Sequence, residues 1–138
     1  MPDYGGMHYP TVSPYLFYED LQAALDFLAA AFGFVVRMRQ TQPDGTLGHC
    51  EMTCGDSVVM FGSPPGFKNP AHSGHVSVGI YVHVDDVDAH YERAVEAGAE
   101  AQESPTDQPY GVRSYGALDL EGHQWWFAQP TGRAYVRY

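Results

Sequence analysis

Apolar and polar residues along the chain fall into two copies of one pattern. The first runs from Ser13 through Pro-Tyr-Leu-Phe-Tyr to Glu19-Asp20, continues as Leu-Gln-Ala-Ala-Leu-Asp-Phe-Leu, and stops at Gly33. The second runs from Gly79 through Ile-Tyr-Val-His-Val to Asp85-Asp86, continues as Val-Asp-Ala-His-Tyr-Glu-Arg-Ala, and stops at Gly98. Each copy predicts a strand, an acidic helix start, an amphipathic helix and a glycine stop, offset by about 66 residues. Asp20 in the first copy, and Asp85 or Asp86 in the second, can accept hydrogen bonds from the free N–H groups that open a helix, so they read as caps rather than catalysts. Leu21, Ala24, Leu25, Leu28 and Phe32 form one apolar stripe at helical spacing; Val87, Tyr91, Ala94 and Val95 form the other. Gly33 and Gly98 supply the left-handed stop that other residues resist.

Three strand-like runs follow each helix. In the first half they are 34–41, 47–53 and 57–62, parted by Pro43-Asp44-Gly45 and Gly55-Asp56. In the second half they are 99–103, 112–119 and 123–129, with Gly122 turning the last pair. Each half is therefore expected to be βαβββ, and the fold class α+β. The first module spans about 11–63 and the second about 76–130. The stretch Ser63 to His75 is too rich in Pro and Gly for regular structure, so about 64–75 reads as a linker or mobile loop. In the tail, 131–138, Tyr135, Val136 and Tyr138 offer a surface for a partner subunit.

A sheet carrying one helix has one covered face and one free face. Left open, the free faces would make a large exposed surface. Two halves of one chain, or halves of two chains, would close those faces into a cavity; both arrangements bury the same residues.

The chain of 138 residues is 44% hydrophobic and 17% charged, which excludes global disorder. Its 17 acidic residues against 7 Lys and Arg give a formal charge of −10, a field that repels nucleic-acid backbones and anionic membranes but accepts neutral or cationic small molecules. No apolar run is long enough to span a bilayer, and MPDYGGMHYP lacks the features of a secretory leader. Cys50 and Cys54 are expected on one face of one strand, about 13 Å apart, too far to bond to each other. Two unpaired thiols point to the cytoplasm.

The ordered pieces Tyr18-Glu19-Asp20-Leu21, Val84-Asp85-Asp86-Val87-Asp88-Ala89 and Glu96-Ala97-Gly98-Ala99 carry a resemblance. So do Tyr110-Gly111-Val112-Arg113 and Asp119-Leu120-Glu121-Gly122-His123-Gln124-Trp125-Trp126-Phe127. Together they resemble the vicinal oxygen chelate superfamily, which holds glyoxalase I, the bleomycin-resistance proteins and the extradiol dioxygenases. The last piece departs from that family's D-P-x-G-(H/N)-x-W signature by Leu120 in place of proline. The resemblance covers about Val12 to Pro130. It implies two βαβββ modules forming a half-closed mixed β-barrel around a central cavity, usually in a homodimer. In metal-dependent relatives each module gives one ligand early on its first strand and one on its last. Those positions fall near Ser13, Met60, Gly79 and Trp126, and none is a strong ligand for a divalent ion. The resemblance therefore implies a bleomycin-resistance-like member with no metal and no cofactor.

Strand alternation sorts the remaining candidates. Ser13, Tyr15 and Phe17 share the cavity face with Ser77, Gly79, Tyr81 and His83, whereas Leu16, Tyr18, Val78, Ile80, Val82 and Val84 turn to the helices. Gln124, Trp126 and Ala128 point inward from the last strand; Trp125 and Phe127 point to the core. The result is an aromatic cavity with a few polar tips, suited to a flat, partly apolar ligand. His49 and Glu51 share one strand face, as an acid–base pair, part of a metal set, or simply a polar pair at the rim. His83 would join them only if the fold made them converge. Arg113 offers a rigid fork for a carboxylate or phosphate, or a salt bridge to one of the acids. Met60 fills space, and His75 belongs to the linker. No phosphate loop, nucleophile elbow or structural zinc motif is present.

Two classes of function remain open. One is a metal-independent protein that sequesters a small aromatic or cationic compound, as antibiotic-resistance proteins do, using Tyr15, Phe17, Glu51, Tyr81, His83, Arg113, Gln124 and Trp126. The other is an enzyme: a glyoxalase-like lyase, isomerase or dioxygenase with an unorthodox metal set such as His49, Glu51 and His83, or a metal-free enzyme with His49 or Glu51 as general base. Either is expected to be a cytoplasmic homodimer.

Overall fold

The computed structural model describes residues 3, 4 and 7–132. The tail residues Tyr135, Val136 and Tyr138 lie outside them. A short N-terminal ribbon pairs β1 (Asp3–Tyr4) with β2 (Met7–His8). The first module follows as β3 (Tyr15–Phe17), α1 (Leu21–Phe32), β4 (Val35–Thr41), β5 (Leu47–Cys54) and β6 (Ser57–Gly62). A one-turn helix, α2 (Pro70–Ser73), leads to the second: β7 (Gly79–His83), α3 (Val87–Glu96), β8 (Glu100–Ala101), β9 (Thr106–Asp107), β10 (Val112–Leu118) and β11 (Gln124–Pro130).

The two sheets share one topology. Strand order is β3-β6-β5-β4 in the first and β7-β11-β10-β8 in the second, with β9 added to β10. In each, the opening strand runs parallel to the last, and the other pairings are antiparallel. The fold is α+β, and the sequence repeat is a repeat of this unit.

Both helices begin as the sequence predicts. Asp20 accepts a hydrogen bond from the Ala23 amide, and Asp86 from the Ala89 amide. Helix α1 ends at Gly33 with φ +79°, where a side chain would be strained and would crowd the Arg93 guanidinium. Arg93 reaches across from α3 to donate to the carbonyls of Ala29 and Ala30, placing a cation on the open end of α1. The predicted stripe on α1 is buried in full, with Ala31 added. On α3 the buried line is Val87 and Ala94, with His90 and Tyr91 partly buried beside them; Val95 lies one position too far round and is exposed.

The two modules bury their helix-bearing faces in one common core. Phe32 of α1 packs on Trp125 and Phe127 of β11, and Tyr18 and Phe61 of module one belong to the same cluster as Tyr115 of module two. Within a chain, then, the sheets do not close into a barrel. Their other faces look outward, leaving Tyr15 47%, Phe17 42%, Tyr81 44% and Trp126 39% exposed. Val78, expected against the helices, precedes β7 and is exposed.

The stretch expected to lack regular structure is pinned. Asn69 caps α2 through the His72 amide, while Glu19 accepts from the Asn69 amide and bonds His72 Nδ1. Glu121 accepts from the amides of Glu19 and Asp20 and from the Asn69 side chain. One carboxylate from the β10–β11 turn thus ties down the start of α1 and the connection between modules.

Candidate functional site

Two outward faces form the candidate site. On the first sheet, β3 presents Tyr15 and Phe17, β6 presents Met60, and β5 presents His49 and Glu51, while Cys50 and Met52 point to the core as alternation requires. Both cysteines are free. Glu51 is only 1% exposed and is held from three directions. Arg37 Nε donates to its Oε1 at 3.0 Å, Tyr9 donates to Oε2 at 3.0 Å, and His49 Nε2 lies 2.7 Å from Oε2. Arg37 also stacks on the Tyr9 ring at 4.5 Å. Burial pushes the Glu51 carboxyl up, but the bonds from His49, Arg37 and Tyr9 and the Arg37 charge outweigh it and hold the group below the usual carboxylate range. His49 continues the chain outward: its Nδ1 is 3.0 Å from the Tyr15 hydroxyl.

Sequence reasoning paired His49 with Glu51 but missed Arg37 and Tyr9. Arg37 sits where β4 changes register between Val36 and Met38, a bulge that frees its side chain to reach Glu51. Tyr9 lies 42 residues from Glu51, on the N-terminal segment that covers this face, and nothing local in the sequence signals it. Tyr9, Thr11, Ser13, Met38, His49 and Glu51 are among the residues around a 520 Å³ cavity beneath that segment.

On the second sheet, Tyr81 lies beside His83 with ring centroids 5.4 Å apart, and Trp126 lies 6.5 Å from Tyr81. The Trp126 indole covers two glycines. A methyl group at Gly79 would fall 2.2 Å from the ring, and one at Gly116 would fall 3.1 Å from it. Small residues on the neighbouring strands make the slot in which the indole lies.

Two expectations need correction, and two alternatives left open by the sequence are decided within a single chain. Arg113 is on the helix side, not in the cavity: its guanidinium is taken by Asp88 on α3 and Asp107 on β9, which raise its pKa further. Gln124 is buried in a reciprocal amide pair with Gln102, at 2.8 and 2.6 Å, so its polar groups serve the wall. His83 lines a 310 Å³ cavity with Tyr81, Val12 and Asp56, away from the His49–Glu51 cavity, so His49, Glu51 and His83 do not converge within a chain. Among the described residues no three His, Cys, Asp or Glu side chains gather as a metal site. Finally, the two aromatic sets, Tyr15 with Phe17 and Tyr81 with Trp126, lie on separate faces rather than facing across one cavity.

The positions at which the family resemblance places metal ligands do not fit a divalent ion. Ser13 offers one neutral hydroxyl, buried and without a hydrogen-bond partner. Met60 offers a soft thioether, Gly79 has no side chain, and the indole of Trp126 occupies the space above Gly79.

A family model described as Glyoxalase/Bleomycin resistance protein/Dioxygenase superfamily matches residues 8–127. An uncharacterized protein of Mycobacterium bovis is 35% identical over 128 residues, 88% of this chain and 84% of that one. An uncharacterized protein of Mycobacterium tuberculosis matches at 35% over 88% of this chain and 75% of its own length. Among solved structures, TioX from Micromonospora sp. ML1 superposes with a TM-score of 0.73 at 35% identity, covering 91% of this chain and 99% of that one. The fosfomycin resistance protein FosX from Listeria monocytogenes gives 0.66 at 17% identity, over 91% and 97%, a likeness of fold.

Proposed function

The chain belongs to the glyoxalase/bleomycin resistance protein/dioxygenase superfamily, and from that premise we propose that it is a metal-independent small-molecule binding protein of the antibiotic-resistance type. The observation that carries the proposal is the Trp126 indole lying over Gly79: an aromatic platform stands where a metal-dependent relative needs two donors. Tyr15, Phe17 and Tyr81 supply further open aromatic surface. Stacking and desolvation would provide the affinity, and the −10 charge would raise the local concentration of a cationic compound. No nucleic acid is a partner in this reading.

A homodimer completes the site. The exposed Tyr15–Phe17 face of one protomer would stand opposite the Tyr81–Trp126 face of its partner, burying apolar surface that a single chain leaves in water. The two free thiols support a cytoplasmic setting, and among the described residues no helix is long and apolar enough to cross a membrane.

The test is binding of bleomycin and of 9-aminoacridine, a flat aromatic cation, followed by fluorescence with and without EDTA. Saturable binding that EDTA leaves unchanged, and that Trp126→Ala weakens by about tenfold or more, supports the proposal. Loss of binding in EDTA, with one divalent ion per chain by elemental analysis, overturns it in favour of a metal enzyme.

A further inference from the structure

The Tyr15–His49–Glu51 chain has a direction, and that direction selects ligands. Glu51 accepts hydrogen bonds and cannot donate once ionised. Its Oε2 therefore requires a proton on His49 Nε2, 2.7 Å away. A neutral imidazole with its proton on Nε2 has a lone pair on Nδ1, and Nδ1 lies 3.0 Å from the Tyr15 hydroxyl. The phenol proton must then point at His49. What Tyr15 offers to the open face is its oxygen lone pairs alone.

We propose that Tyr15 is a one-way acceptor, fixed by His49 and Glu51, through which the protein prefers aromatic ligands bearing an O–H or ring N–H donor over those bearing only acceptors. The proposal rests on the reading of the outward faces as a ligand site and names the chemistry that site takes.

Three features support the assignment. First, the end of the chain is fixed. Arg37 and Tyr9 occupy Glu51 from β4 and the N-terminal segment, so its carboxylate cannot turn away from His49. Bonds in such a series polarise one another, strengthening the final acceptor. Second, the ring is held in place. Tyr15 lies across Gly62, where a methyl group would come within 3.0 Å of the ring, and meets Phe17 edge-on at 5.6 Å. Third, there is room. Tyr15, Phe17, His49, Gln40 and Pro64 border a 520 Å³ cavity, enough for a two-ring ligand. The polar end of Tyr15 and the aromatic edge of Phe17 then meet the same guest.

The test compares 2-naphthol with 2-methoxynaphthalene, which differ in the donor hydrogen, at about pH 8. The wild-type protein should favour the naphthol about three- to tenfold, the contribution of one hydrogen bond. Tyr15→Phe should bring the ratio close to one. His49→Leu should shrink it too, because the freed phenol O–H can then donate to the ether oxygen. Equal binding of the two compounds to the wild-type protein, or a preference that survives Tyr15→Phe, overturns the acceptor assignment and leaves the ligand site standing. If neither compound binds at millimolar concentration, the ligand site falls as well.

Discussion

The indole of Trp126 lies so close over Gly79 that the smallest side chain at residue 79 would fall 2.2 Å from it. The two residues stand on neighbouring parallel strands, with Gly79 opposite Gln124 and Trp126 opposite Tyr81, so the ring reaches diagonally across the ladder. A glycine that leaves a strand without a side chain weakens it unless a neighbour covers the gap, and Trp126 does so here.

Gly79→Ala should therefore displace the ring rather than merely add a methyl group. We expect a loss of about 1–2 kcal/mol in denaturant unfolding, a red-shifted tryptophan emission as the indole moves into water, and weaker binding of 9-aminoacridine, in parallel with Trp126→Ala. Unchanged emission and affinity would show that the ring does not depend on the gap.

Arg113 provides the opposite case. Its guanidinium is engaged by Asp88 and Asp107 on the solvent-facing edge of α3 and β9. Arg113→Ala should leave ligand affinity unchanged and alter stability little, since exposed ion pairs are screened by water. A clear loss of binding in fluorescence titration would return Arg113 to the site.

Glu51 should show its hydrogen bonds and its pairing with Arg37 through pH. Its carboxyl titrates lower in the folded chain than in the unfolded one, so the unfolded state takes up the proton first as pH falls. The stabilisation is complete above about pH 5 and declines through the ordinary carboxylate range near 4 towards the lower folded value. Glu51→Gln should flatten that acid limb and, by leaving Arg37 without its counter-charge, remove about 3 kcal/mol at neutral pH. Denaturant midpoints measured from neutral to acid pH check both.

How much of this could be read beforehand follows from how far each interaction reaches. The helices were legible because Asp20, Asp86 and Gly33 act on residues a few positions away, and α1 was legible in full from its stripe. Alternation puts Tyr15, Phe17, Tyr81 and Trp126 on the sheet faces turned away from the helices, expected to line a cavity, and within one chain those faces look outward. Gln124 and Arg113 were misjudged because their partners, Gln102, Asp88 and Asp107, are set by tertiary register rather than by local pattern. Arg37 depended on a bulge, and Tyr9 on a segment folded back from 42 residues away. The Pro- and Gly-rich connection gained its helical turn from Glu19 and Glu121, neither of which lies within it.

The seam between modules holds a second titrating group. His90 bonds the Tyr115 hydroxyl through Nδ1 at 2.6 Å and the Phe32 carbonyl through Nε2, with its ring centroid 4.1 Å from that of Phe127. Burial lowers its pKa and the Arg93 charge adds to this, against the opposing bond to Phe32. The unfolded chain therefore binds a proton at higher pH than the folded one, so stability is full above about pH 6.5 and falls below it. His90→Gln keeps an acceptor for Tyr115 but cannot titrate. Its unfolding free energy should vary less between about pH 7 and 5 than that of the wild type; an identical slope would assign the pH dependence elsewhere.

Asp119 should be the most sensitive polar position in the fold. It accepts from Tyr18 at 2.5 Å and Trp125 at 3.0 Å through one oxygen, and from the amides of Glu121 and His123 through the other. Tyr18 belongs to module one and the rest to module two, so one buried carboxylate both shapes the β10–β11 turn and joins the halves. The arrangement also orients Glu121, whose bonds hold the start of α1. Asp119→Ala leaves four donors without their acceptor, two of them on fully buried aromatic side chains, and should destabilise the protein by about 3 kcal/mol or more. Asp119→Asn keeps the shape and one acceptor oxygen, and should lose less. If both variants unfold at the wild-type denaturant midpoint, Asp119 does not hold the modules together.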